Sequence, residues 1–256
     1  MATWDLPNGS GAAWANDYDR GRPGWPADAA SVSGLAVESV VLDLAAGSGK
    51  LTAILTERFR TVIAVEPQAS LRAILEERAT GAEVREGTAN DLPLADAMVD
   101  AVFVAQAFHW FANPAAIVEI ARVLRPRGML VLMWNLPKGP WLPSAIEAER
   151  VLLERAPRTT DNDLDPLDFS VAHATEWRSV VEASPFGPIH HARLSNPQTV
   201  SAEGLTAYFA SMGWIAELPH DERLPLLAEV REALNADRYR REWETLLFWT
   251  RLRAAS

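Results

Sequence analysis

Asp43-Leu44-Ala45-Ala46-Gly47-Ser48-Gly49-Lys50 closes an apolar run and opens a helical one. Glycines in such a turn let the backbone pass close beneath a ligand, because they lack a Cβ and tolerate unusual φ. Seventeen residues beyond Gly49 stands Glu66, at the end of the apolar run Val62–Val65. A carboxylate there can accept hydrogen bonds from both hydroxyls of a ribose. Turn and acid together predict a ligand that carries a nucleoside with a free ribose diol. Farther on, Gln106 follows the run Ala101–Ala105, and His109 comes three residues later. Imidazole titrates near neutrality, which suits general acid–base work. His109 is therefore the candidate catalytic base, and a place in the pocket wall is its alternative role. Trp110 beside it is expected to pack.

Nucleoside ligands of several classes use such a turn. A P-loop needs Gly, four residues, then Gly-Lys-Ser/Thr. Here Gly49-Lys50 is flanked by Leu44 and Leu51, so both outer positions fail. A dinucleotide fingerprint needs a third glycine at position 52, where Thr52 stands. S-adenosylmethionine (SAM) carries a nucleoside and no phosphate to cradle. A plain structural turn would use the same glycines.

The remaining histidines and acids point to no metal. His190 and His191 are neighbours in an expected strand, so their side chains face opposite ways. His173 and His220 stand at expected helix starts and read as surface residues. Asp161, Asp163, Asp165 and Asp168 lack the glycine and terminal glutamate of a calcium loop and read as a solvated loop. The chain has no Cys, which excludes disulfides, zinc–thiolate sites and a Cys nucleophile.

Alternating strands and helices must position these residues. The run at 40–44 predicts a strand, and Leu51, Ile54, Leu55 and Phe59 give a helix face. A second strand at 62–65 precedes a helix face of Leu71, Ile74, Leu75 and Ala79. Strands at 82–85 and 101–105 follow. Asn113 and Pro114 predict an N-cap and first helical residue. Pro126 and Gly128 are expected to stop that helix before a fifth strand at 129–134. Such βαβ rhythm means an α/β fold with a mostly parallel sheet. Beyond Asn135, helices are expected near 144–155, 171–182 and 222–235, with Leu205, Tyr208, Phe209 and Met212 marking another face. Strands are expected near 189–194 and 245–251.

Lys plus Arg is 24 and Asp plus Glu is 34, a formal charge of −10. Nucleic-acid affinity rests on Lys and Arg displacing counterions, so the balance disfavours nucleic acid as a partner. The start of the chain is polar and reads as no signal peptide. No apolar run reaches the roughly 18 residues of a membrane span. A cytoplasmic protein is expected. The chain has 10 Trp and 3 Tyr. Trp4, Trp14, Trp25, Trp141, Trp177, Trp214 and Trp243 lie outside the expected core sheet, where they either pack or wall a pocket for an apolar or cationic group.

The segments VVLDLAAGSGK (40–50), AVEP (64–67), EGTANDLPL (86–94), DAVFVAQAFHWF (100–111) and ARVLRPRGMLVLMWN (121–135) resemble class I SAM-dependent methyltransferases. With YDRGRPGWP (18–26), they are similar to the small-molecule branch of trans-aconitate and ubiquinone/menaquinone methyltransferases. This resemblance implies a Rossmann-like sheet, mostly parallel with an antiparallel last strand and helices on both faces. It implies an N-terminal lid at 1–37, a SAM-binding core at 38–135, and lid helices and closing strands at 136–256. Asp43, Ala45, Gly47 and Gly49 would then form the turn under the methionine part of SAM. Glu66 would hold the ribose, with Pro67, Gln68, Thr88 and Ala89 around the adenine. Gln106 would meet the methionine amine through its backbone, and Tyr18 and Arg22 would close the lid. Ala45 stands where the family has a glycine, a replacement that is tolerable where φ stays negative. Thr88 stands where the family has an aspartate, so contact with the adenine amine is expected to be weaker or to come from Asn90 or Asp91.

The implied reaction methylates a small molecule, with O-methylation of a carboxylate or hydroxyl as the first expectation and S-adenosylhomocysteine as product. Alignment of nucleophile, methyl and sulfur is its main demand, and good alignment is worth effective molarities of about 10⁵–10⁸ M. A carboxylate acceptor needs no base, whereas a hydroxyl gains about 10²–10⁴-fold from one. A nicotinamide-dependent oxidoreductase and a non-catalytic SAM-binding or partner protein are the competing readings.

Overall fold

A computed structural model describes residues 11–31, 34–138, 143–155 and 173–253. Trp4, Trp141 and the acidic loop at 161–168 lie outside them. Helix α1 (Ala12–Gly21) comes first. Then follow β1 (Val40–Leu44), α2 (Lys50–Arg58), β2 (Thr61–Val65), α3 (Ala69–Arg78), β3 (Ala82–Arg85), β4 (Val99–Ala105), α4 (Pro114–Val123) and β5 (Leu124–Pro137). The rest comprises α5 (Pro143–Arg155), α6 (His173–Glu182), β6 (His190–Ser195), β7 (Gln198–Ser201), α7 (Ala202–Ala210) and α8 (Gly213–Ala216). Last come α9 (His220–Ala233), β8 (Arg238–Arg241) and β9 (Trp243–Arg251).

The chain divides into two compact units. One, the sheet unit, takes Gly24–Leu136, Ser170–Asn196 and Glu244–Ser256. Its seven strands run in the order β3-β2-β1-β4-β5-β9-β6. β1 pairs in parallel with β2 and β4, β2 with β3, and β4 with β5. β6 and β9 pair antiparallel, as expected for the closing strands. The strands wind outward from β1 to β3, and the chain then returns to lay β4 against β1. That reversal is a topological switch point, and open α/β sheets bind ligands at the carboxyl ends of the strands beside it.

Both faces of the sheet are covered, which is why the central strands read as continuous apolar runs. In β4, Val102 and Val104 join one core with Ile117 and Ile120 of α4 and Trp177 of α6. Ala101 and Phe103 join another with Leu51 and Leu55 of α2. Asn113 caps α4 by accepting from the Ala116 N–H at 3.0 Å, and Pro114 occupies the first turn. Pro126 and Gly128 play a part different from the expected helix stop. β5 already begins at Leu124, which pairs with Val99, and the next pairing is Met129 with Ala101. Residues 125–128 form a bulge inside the strand, with Arg127 at φ 64°.

The other unit takes Met1–Pro23, Pro137–Phe169 and Pro197–Trp243. Its core gathers Leu205, Tyr208 and Phe209 of α7, Leu226 and Val230 of α9, and Tyr239 and Trp243. β7 and β8 pair antiparallel as a separate two-stranded sheet. Among the described residues, no helix is long and apolar enough to cross a membrane.

Candidate functional site

The turn from β1 to α2 alternates left-handed residues: Ala45 at φ 58°, Gly47 at φ 58° and Gly49 at φ 80°. Ala45 therefore does not meet the condition of a negative φ under which an alanine is readily tolerated there. A residue with a Cβ in that region costs about 1–2 kcal/mol. The neighbouring backbone holds it there: the Ala46 N–H donates to the Val65 carbonyl at 3.1 Å, and the Gly49 N–H donates to the Ala46 carbonyl at 3.0 Å. Gly49 is required twice over, because a Cβ would also lie 2.6 Å from Leu75 Cδ1.

Glu66 follows the last residue of β2 and is only 5% exposed. Its Oε2 accepts from the Gly47 N–H at 2.8 Å and its Oε1 from the Gln68 N–H at 2.9 Å. The side chain therefore ties the glycine turn to the end of β2. An ionised carboxylate has about four lone-pair sites, so both oxygens can accept further bonds. Burial raises the Glu66 pKa, and the two backbone N–H groups and Arg72 oppose that rise. Arg72 fixes the same strand end by donating to the carbonyls of Glu66 at 2.8 Å and Pro67 at 3.0 Å.

Asp43 sits in the centre of the sheet and is fully buried. Its Oδ2 accepts from Thr52 Oγ1 at 2.6 Å, while its Oδ1 has no hydrogen-bond partner. Burial pushes the carboxyl up to about 7, and the negative charge of Glu66 adds to the rise. Thr52 is thus more than a missing glycine. It stands on the helix face that meets Asp43 and supplies that carboxylate's hydrogen bond.

Gln106 follows β4 with φ 56°. Its N–H donates to the Met133 carbonyl at 2.8 Å, and its Oε1 accepts from the Asn135 N–H at 2.9 Å. A 3-10 turn, Phe108–Trp110, then carries His109. The Trp134 indole Nε1 donates to His109 Nδ1 at 3.3 Å. Trp110 packs its ring against His109 at 4.9 Å between ring centroids and is otherwise 69% exposed. Ala89 is buried and Thr88 exposed after β3, where Thr88 and Asp91 exchange backbone hydrogen bonds.

The sheet unit thus brings the 45–49 turn, Glu66, Pro67, Gln68, Thr88, Ala89, Gln106 and His109 to the carboxyl ends of its parallel strands. Tyr18 and Arg22 belong to the other unit. There the Arg22 guanidinium donates to Ser211 Oγ at 2.9 Å and to the Ser211 carbonyl at 3.0 Å. It lies 5.5 Å from the ring centroids of both Tyr18 and Tyr208. Arg72, Thr52, Trp134 and Asn135 were not foreseen as site residues. Asn135 had a visible signal, a polar residue at the end of an apolar strand. It is buried, donates to the Gly24 carbonyl at 2.9 Å and accepts from Asn196 and Thr245. No group of three or more His, Asp or Glu able to hold a metal ion occurs among the described residues.

A family model described as "Methyltransferase domain" matches residues 42–132. An uncharacterized methyltransferase of Mycobacterium bovis is 48% identical over 118 residues, covering 46% of this chain and 49% of that protein. The chain therefore spans about half the length of that relative. An uncharacterized methyltransferase-like protein of Schizosaccharomyces pombe is 30% identical over 246 residues, covering 91% of each chain. The solved structure of a candidate type II methyltransferase from Anaeromyxobacter dehalogenans shares the fold, with a TM-score of 0.60 at 22% identity. That likeness covers 91% of this chain and 99% of the other.

Proposed function

The chain belongs to the methyltransferase family, and from that membership we propose that it moves a methyl group from SAM to a small-molecule acceptor. The observation that carries this reading is Glu66, buried at the end of β2 with both carboxylate oxygens aligned by backbone N–H groups. Such an acid offers its remaining lone pairs to two neighbouring hydroxyls of a ribose. SAM, when bound, supplies a methyl group on a good leaving group, a sulfonium. The chain's own task is then to align the acceptor and exclude water. The left-handed turn at 45–49 lets the backbone run close beneath the methionine part. Pro67, Gln68, Thr88 and Ala89 are assigned to the adenine and Gln106 to the methionine amine. His109 and Trp110 are assigned to the acceptor side, beyond the end of β4. The formal charge of −10 favours a small molecule over a nucleic acid. O-methylation is the favoured outcome.

Melting-temperature titrations with SAM, S-adenosylhomocysteine and NADH test the reading. A ligand at one hundred times its dissociation constant adds about 2.7 kcal/mol of stability. SAM and S-adenosylhomocysteine should each raise the melting temperature, and NADH should not. A shift with NADH alone would hand the cleft to the oxidoreductase.

A further inference from the structure

We propose that Arg72 is a positioning residue of the cofactor site: from α3 it holds the end of β2 by two carbonyls, so that Glu66 presents its carboxylate to the ribose. The purpose rests on the methyltransferase reading, but one arm of the test does not.

A cation is disfavoured in the first turn of a helix, where unpaired N–H groups already carry positive charge. Arg72 nevertheless stands in the first turn of α3, which has no acidic residue there to offset it. Its partners lie outside the helix. Nη1 donates to the Glu66 carbonyl at 2.8 Å and to the Pro67 carbonyl at 3.0 Å. Nη2 donates at 2.8 Å to Oε2 of Glu86, the residue that follows β3. One side chain thus joins α3 to the ends of two neighbouring strands. A guanidinium spreads its donors in a fixed planar fork and can serve all three acceptors, whereas an ammonium is a point charge. The Arg72 side chain is only 15% exposed, while that of Glu86 is 71% exposed. Exposed ion pairs are worth little, so the grip on the two carbonyls is the stronger part. The Pro67 carbonyl belongs to the same peptide unit as the Gln68 N–H, which meets Glu66 Oε1 at 2.9 Å. Arg72 therefore fixes one of the two peptide groups that aim the Glu66 carboxylate.

The hold is electrical as well as mechanical. Burial favours the neutral form of the Glu66 carboxyl; the Gln68 and Gly47 N–H groups and the Arg72 guanidinium oppose it. From β1, the Asp43 carboxyl faces Glu66 as a like charge. From the end of β3, Glu86 pairs with Arg72. Hydroxyls donate more strongly to an ionised carboxylate than to a neutral acid. Arg72 thus keeps Glu66 in the form that binds as well as in the place where it binds. Without Arg72, Glu66 should take up a proton at higher pH than in the wild type. The loss of cofactor affinity should then be greatest below that midpoint and shrink above it, where Glu66 is ionised in both proteins.

Carbon-13 carboxyl spectra of the intact protein read the first effect, with Glu66 identified by the signal lost in Glu66→Gln. Its titration midpoint is expected to rise in Arg72→Gln and to stay near the wild-type value in Arg72→Lys, which keeps the charge. Calorimetric titration with S-adenosylhomocysteine, from mildly acidic to mildly alkaline pH, reads the second. Arg72→Gln should bind more weakly at the acidic end, by about tenfold for each pH unit of midpoint shift, and should close part of that gap at the alkaline end. Arg72→Lys should bind more weakly than the wild type by the same factor at every pH, because it loses the fork and keeps the charge. A Glu66 midpoint that does not move in folded Arg72→Gln overturns the proposal, and so does an affinity gap of that variant that is equal at every pH. Should Arg72→Gln not fold, wild-type affinity in Arg72→Lys overturns it. A wild-type protein that binds no S-adenosylhomocysteine fails the methyltransferase reading instead, and the carbon-13 midpoints still decide whether Arg72 governs Glu66.

Discussion

Glu66→Gln is expected to weaken SAM binding by about 10- to 10³-fold, since two charged hydrogen bonds become neutral ones. Hydrogen bonds to charged groups are worth about 1.5–3 kcal/mol each, and the substitution removes the charge from two of them. A second loss follows from the geometry of the side chain. Both Glu66 oxygens already accept from backbone, one from Gly47 and one from Gln68. A glutamine offers only one oxygen. Its amide group would face one of those N–H groups as a second donor, leaving both buried without an acceptor. An unmade hydrogen bond of this kind costs about 1–3 kcal/mol. The glycine turn should loosen, and the melting temperature should fall even without ligand. Titration calorimetry of both proteins with SAM reads the first effect, and thermal unfolding reads the second. Unchanged affinity in the variant would remove the ribose assignment from Glu66.

Gly21→Ala should do the greatest damage to the helical unit. A Cβ on Gly21 would lie 2.1 Å from Tyr208 N, 2.3 Å from Tyr208 Cα and 2.5 Å from Ala207 C. All three are backbone atoms, so no rotamer change can make room. Helix α1 would have to move off α7, and the hydrogen bonds of the adjacent Arg22 to Ser211 would go with it. Ordinary overpacking costs about 1–3 kcal/mol, and a backbone clash belongs at or above the top of that range. For a chain of this size about 1 kcal/mol moves the melting temperature by roughly 2–4 °C. The expected fall is therefore about 6–12 °C. A variant that melts with the wild type would show that α1 does not pack on α7 through this glycine.

The features read most readily from sequence are those whose chemistry is local. A strand ending in a Gly-x-Gly turn, with an acid after the next strand, keeps its meaning within a few residues of itself. The parallel strands were legible because burial on both faces makes them continuous apolar runs. Helix α1 was not, because Trp14, Ala15 and Gly21 are the only buried residues on it, and its partner α7 lies far along the chain. The early start of β5 was hidden for a similar reason: Leu124 joins the sheet by pairing with Val99 across a bulge, and Pro126 and Gly128 mimic a helix stop. Thr52 read as a failed dinucleotide glycine, since nothing local shows that it hydrogen-bonds Asp43. At Ala45 a Cβ alone favours negative φ. The hydrogen bonds around the turn outweigh that preference.

Glu66, in the function proposed above, grips a ribose diol at the carboxyl end of β2. Calorimetric titration of the wild-type protein with S-adenosylhomocysteine and with its 2′,3′-dideoxy analogue tests it most directly. Loss of two charge-assisted hydrogen bonds should make the analogue bind at least roughly 100-fold more weakly than the natural product. Equal affinity for the two, or no binding of either, would contradict a ribose held by Glu66.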